Sequence, residues 1–86
     1  MPSPEAVARV QSVKAKHERE LMRKRNVVGV GVGFRKRADQ MTDEVCIVVS
    51  VREKLPPDQL APKDVIPIEL DGVPVDVQAT GAFRAL

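Results

Sequence analysis

Val28-Gly29-Val30-Gly31-Val32-Gly33-Phe34, residues 28–34, alternates a branched or aromatic side chain with no side chain at all. Side chains on a β-strand point to opposite faces in turn. One face of this segment carries Val28, Val30, Val32 and Phe34, and the other carries only hydrogens. Glycine inside a strand costs stability, because it loses more backbone entropy on folding and packs nothing. Its strict recurrence at Gly29, Gly31 and Gly33 therefore marks a flat surface that something approaches closely. The visitor is either the chain's own helix or another molecule.

Outward from this strand, residues 44–52 form a second one, with Val45, Ile47, Val49 and Val51 on one face and Cys46, Val48 and Ser50 on the other. Both faces are apolar or small, which places it centrally in a sheet. Residues 35–43 between the two strands are a polar connection. Leu55-Pro56-Pro57 breaks the second strand, and Asp58-Gln59-Leu60 has room for a short helical turn before Pro62. Residues 66–79 read as a hairpin about Asp71-Gly72, the strongest short signal for a type I′ turn. This register opposes Leu70 to Val73, Ile68 to Val75 and Ile66 to Val77, all on one face.

On the N-terminal side, residues 4 to 25 read as a helix. Ser3 is its N-cap, Pro4 its first residue and Asn26 its stop. Glu5 in the first turn and Arg23, Lys24 and Arg25 at the end suit the macrodipole. Val7, Val10, Val13, His17 and Leu21 make one narrow stripe, the width of a seam between two surfaces. The predicted fold is α+β: a long N-terminal helix plus a small, mostly antiparallel four-stranded sheet, in the order α-β-β-(short α)-β-β. A single domain covers residues 1–86, as a helix over 1–25, a sheet core over 26–81 and a tail over 82–86.

A chain of 86 residues buries only roughly 60–65% of its unfolded surface, so its own core is modest. Phe34 and Phe83 are the only aromatic residues, so aliphatic side chains do the packing. The single cysteine, Cys46, excludes an intramolecular disulfide and a four-cysteine zinc site. Met1-Pro2-Ser3-Pro4 lacks the basic and apolar regions of a signal peptide. No apolar run approaches the ~20 residues of a membrane span. A cytoplasmic protein without a membrane partner is expected. The net charge of +2 hides an asymmetry: residues 1–37 carry ten basic and three acidic residues, a net +7, and residues 38–86 carry four and nine, a net −5. Such a division suits an anionic partner or electrostatic self-complementarity.

Five segments together resemble a known pattern: residues 26–35, Thr42-Asp43-Glu44 with Ile47-Val48-Val49-Ser50-Val51, Lys54-Leu55-Pro56, Ile66-Pro67, and Asp71-Gly72-Val73-Pro74-Val75-Asp76-Val77. Their order and spacing, over roughly residues 26–81, are similar to the accessory segment that precedes the catalytic domain of bacterial and plant trypsin-like serine peptidases. These residues hold no Gly-Asp-Ser-Gly nucleophile motif and no His/Asp partner set. The resemblance therefore implies an accessory module without the peptidase activity.

No catalytic, cofactor-binding or metal-binding set emerges. Cys46 lies in an apolar strand with no base in reach, and His17, the only histidine, belongs to the helix stripe. Gly29-x-Gly31-x-Gly33 sits in a strand, whereas phosphate-binding glycines sit in a turn that opens a helix. The basic helix and Arg35-Lys36-Arg37 would attract phosphates. The lack of a stacking aromatic platform and the acidic second half disfavour nucleic acid. The expected function is a non-catalytic self-assembly module, a homo-oligomer that closes a ring or runs on as a filament. Its interface residues are Val10, Val13, His17, Leu21, Gly29, Gly31 and Gly33. The alternative is a regulator acting in trans on a trypsin-like peptidase; the third reading is nucleic-acid binding by the basic helix.

Overall fold

The computed structural model describes residues 3–38 and 40–80. The expected tail over 82–86, with Phe83, lies outside the described residues. Helix α1 spans Pro4–Met22. Ser3 caps it as expected: its hydroxyl accepts the Ala6 amide at 3.1 Å, and Pro4 needs no partner for a missing N–H. The helix ends three residues before the expected position at Arg25. Leu21 is its last buried residue and Met22 is already exposed, so further turns would bury nothing. The chain then reverses at Asn26, whose φ is +78°. The Asn26 side chain holds Glu53 at both backbone groups, donating to its carbonyl and accepting its amide. Asparagine tolerates this left-handed conformation better than most residues.

Strands β1 (Val27–Arg37), β2 (Gln40–Val51), β3 (Glu69–Leu70) and β4 (Val73–Ala79) form one sheet in the order β1-β2-β4-β3. The α+β class and the central place of β2 are as expected. The β1–β2 and β3–β4 pairs are antiparallel, and β2–β4 is parallel, which makes the sheet mixed. The crossover between β2 and β4 runs through two short 3-10 turns, Pro57–Gln59 and Pro62–Asp64.

Residues 35–43, read as a polar connection, instead extend both strands to a turn at Ala38. Arg35 pairs with Glu44 at 3.2 Å, and Thr42 Oγ1 donates to the Arg35 carbonyl at 2.7 Å. The polarity of this segment marks a solvated strand pair. In the β3–β4 hairpin, Asp71 and Gly72 have φ of +50° and +80°, as a type I′ turn requires. Leu70 opposes Val73, and the Val75 amide donates to the Ile68 carbonyl. The expected common face fails at Ile68, which is 86% exposed. Strand β3 is only two residues long, so the alternation does not extend upstream of Glu69.

The core lies between α1 and one face of the sheet. Val10, Val13 and Leu21 pack with Ile47, Val49, Val51, Val73 and Val75, and Val27, Val30 and Val32 close around them. A bulge between Val27 and Gly29 shifts the side-chain parity. Val27 therefore joins this cluster, and Val28, expected on the packed face, does not. At the far end Phe34 is 42% exposed.

Candidate functional site

The register of β1 on β2 sets Gly29 beside Ser50, Gly31 beside Val48 and Gly33 beside Cys46. On the far side of β2, Val48 and Ser50 lie next to Asp76 and Gln78 of β4. These residues share the face opposite α1. The chain's own helix therefore does not cover the glycines. A Cβ added at Gly31 would meet no atom within 4 Å, and one at Gly29 would only touch the Ser50 Cβ at 3.8 Å. At Gly33 it would press on Val48 Cγ2 at 3.0 Å. The result is a shallow trough of about 410 Å³, with Phe34 and Met41 on its border and Val48, Ser50 and Gln78 in its lining. Met41 beside it is 60% exposed, whereas Phe34, paired with Val45, keeps the parity of Val30 and Val32.

One end of this face is sealed. Asp76 Oδ2 accepts the Lys36 amide and the Gln78 side-chain amide, each at 2.9 Å. Cys46 lies beneath and is fully buried, yet it stands apart from the helix-side core cluster. Burial, with the Asp76 and Glu44 carboxylates nearby, pushes its thiol up to about 11. A neutral, enclosed thiol is a poor nucleophile.

The other expected interface residues are engaged within the chain. Val10, Val13 and Leu21 are buried against the sheet at 4%, 7% and 2% exposure. The seam is thus the contact between helix and sheet. His17 Nε2 stands 3.0 Å from Asp71 Oδ2, with Lys16 Nζ at 3.3 Å from the same oxygen. Arg9 Nη2 donates to the Asp71 carbonyl at 2.7 Å. One face of α1 therefore clasps the β3–β4 turn. The hydrogen bond from His17, and then that from Lys16, holds the Asp71 carboxyl below its ordinary value.

A second cleft, of about 260 Å³, lies by the crossover, with Val51, Leu55, Leu60, Ile66 and Val77 among its lining. Two of its polar side chains are occupied by the fold: Asp64 Oδ1 accepts the Arg25 amide at 3.0 Å, and Asn26 holds Glu53. No helix among the described residues is long and apolar enough to cross a membrane.

Of the expected interface set, the structure gathers Gly29, Gly31 and Gly33 on an open surface and draws Val10, Val13, His17 and Leu21 away from it. Met41 is the residue that sequence reasoning missed, because residues 35–43 read as a polar connection and not as strand. Phe34 keeps the expected parity of Val30 and Val32 but is 42% exposed.

A family model described as the NARROW LEAF 1 N-terminal domain matches residues 5–80. The match includes nearly all of α1 and every strand, and the chain belongs to this family. No curated protein matches it. The family match overturns the resemblance to the accessory segment of trypsin-like peptidases. That resemblance rested on short Val-Gly, Pro and Asp-Gly patterns, which strands and tight turns require in many folds. The peptidase-regulator reading and its partner lose their basis with it.

Proposed function

We propose that this chain, a member of the NARROW LEAF 1 N-terminal domain family, is a non-catalytic self-assembly module whose contact surface is the glycine trough. The observation that carries this reading is the pairing of an open trough with an exposed apolar side chain, Met41, on its border. In a face-to-face pair of copies, Met41 of one can enter the trough of the other. Each copy offers the same two features, which suits an isologous two-fold contact. A domain with so small a core gains stability by burying more surface between subunits. The lone buried Cys46 fits a reducing, cytoplasmic compartment.

Gly31→Val tests the proposal cleanly. Its Cβ has open space within the chain, and valine suits a strand. The variant should keep its melting temperature as a monomer and lose the assembled mass. Light scattering from micromolar to millimolar concentration reads the mass. A wild-type chain that stays monomeric throughout, or a Gly31→Val chain that assembles as before, defeats the reading.

A further inference from the structure

We infer that the cleft at the crossover binds a small amine cation with an apolar body, an aryl- or alkylammonium ion whose nitrogen donates to Asp64. Three observations lead there. First, the cleft has the size and walls of a ligand site. Val51 of β2, Val77 of β4 and Leu55, Leu60 and Ile66 of the crossover line a space of about 260 Å³. An apolar cavity of about 150 Å³ takes benzene, so a single ring with a short stem fits here. Such sites are mostly apolar and hold a few polar groups that choose the ligand.

Second, the polar group is Asp64. It is the one buried charged side chain among the described residues, at 9% exposure, and it lines the cleft. Its Oδ1 accepts the Arg25 amide at 3.0 Å, and no hydrogen bond or ion pair among the described residues reaches Oδ2. Every fully enclosed side-chain oxygen among these residues has a partner, so Oδ2, which has none, is open to an incoming group. A buried carboxylate with free lone pairs gains most from a charged N–H donor.

Third, the remaining charges do not compete with it. Arg25, Glu53 and Lys54 stand at the rim and are exposed, so water and salt screen them. Lys24 and Lys63 border Asp64 from a neighbouring groove, where Lys24 Nζ donates to the Lys63 carbonyl at 2.6 Å. Asp64 alone acts from a shielded position, where a charge is felt more strongly, and it sets the sign of the field inside the cleft. The cleft shares no lining residue with the glycine trough, so ligand binding there does not depend on self-assembly.

The probes are benzylammonium, benzyl alcohol, benzoate and methylammonium. Each is titrated at neutral pH into the full ¹⁵N-labelled chain, with amide shifts read at Val51, Leu55, Leu60 and Ile66. Benzylammonium should saturate. Benzyl alcohol, which keeps the ring and a donor but lacks the charge, should bind roughly tenfold more weakly or worse. Methylammonium, without the ring, should be weaker than benzylammonium by a similar factor, and benzoate should not bind. Asp64→Asn keeps an acceptor for the Arg25 amide and should make benzylammonium and benzyl alcohol bind alike. Glu53→Gln should leave the preference for the ammonium in place. If Asp64→Asn does not fold, the ranking of the four probes on the wild-type chain decides alone. Equal binding of alcohol and ammonium, a preference that survives Asp64→Asn or vanishes in Glu53→Gln, shifts confined to another surface, or no saturation at millimolar probe would overturn the inference. So would tighter binding of Nα-acetyl-lysine amide than of benzylammonium, which would give the cleft to a lysine of a partner protein.

Discussion

The two faces of β1 differ in almost everything but their backbone. One parity of the strand, Val30 and Val32, packs against α1 and the side chains of Ile47 and Val49. The other parity, Gly29, Gly31 and Gly33, lies on the face that α1 leaves open. The difference shows how a small domain divides its labour within one strand. Valine on the inner face supplies the buried area that folding needs. Glycine on the outer face gives up stability and leaves the backbone within reach of a neighbour.

The largest effect expected of this comparison concerns Cys46, which lies on the open face but is fully enclosed. Under native conditions its thiol should react with a disulfide reagent roughly a thousandfold more slowly than in the unfolded chain, since labelling must wait for opening. Rapid stoichiometric labelling of the folded protein would break the picture of a sealed end. Next comes the covered face. Leu21 is 2% exposed, and Leu21→Ala should cost about 2–5 kcal/mol, read from the urea midpoint. Gly31→Val, on the other face, should move that midpoint by less than ~0.5 kcal/mol in the monomer. Comparable losses from the two variants would erase the distinction.

Gly33→Val sharpens the comparison within the open face. Its Cβ would stand 3.0 Å from Val48 Cγ2, so overpacking should cost about 1–3 kcal/mol where Gly31→Val costs little. Thermal melting of the two variants side by side checks this. The smallest effect belongs to the clasp between α1 and Asp71. His17 and Lys16 lower the Asp71 carboxyl in the folded chain relative to its ordinary 3.8. A depressed folded value means that the contribution is fully present above the unfolded value. It is then lost as pH falls below about 4 and through the folded value. Asp71→Asn should therefore lower stability slightly at neutral pH, converge with the wild type at low pH, and so flatten part of the acid limb of the stability profile. An unaltered acid limb would show that the clasp adds nothing.

Much of this architecture was legible in local chemistry. Ser3 and Pro4 announced the start of the helix, because a hydroxyl must satisfy a free amide there. Asp71-Gly72 announced a turn that needs two positive φ angles. The two apolar faces of residues 44–52 announced a central strand. Only part of the candidate site could be read in the same way. The glycine alternation marked the surface, but the helix stripe looked equally available for a partner. Met41 carried no local sign that it would stand beside the trough.

The residues by themselves determined which segments are helical or extended, where they are capped and turned, and that one strand face would be bare. These depend on backbone propensity, periodicity and hydrogen bonds between near neighbours. Only the tertiary structure decided that β4 runs parallel to β2, that Val27 replaces Val28 in the core through a bulge, and that α1 lies on the valine side. Those outcomes come from contacts between residues far apart in the chain. Once α1 had buried Val10, Val13 and Leu21 against the sheet, only the opposite face of the sheet was left with its glycines uncovered.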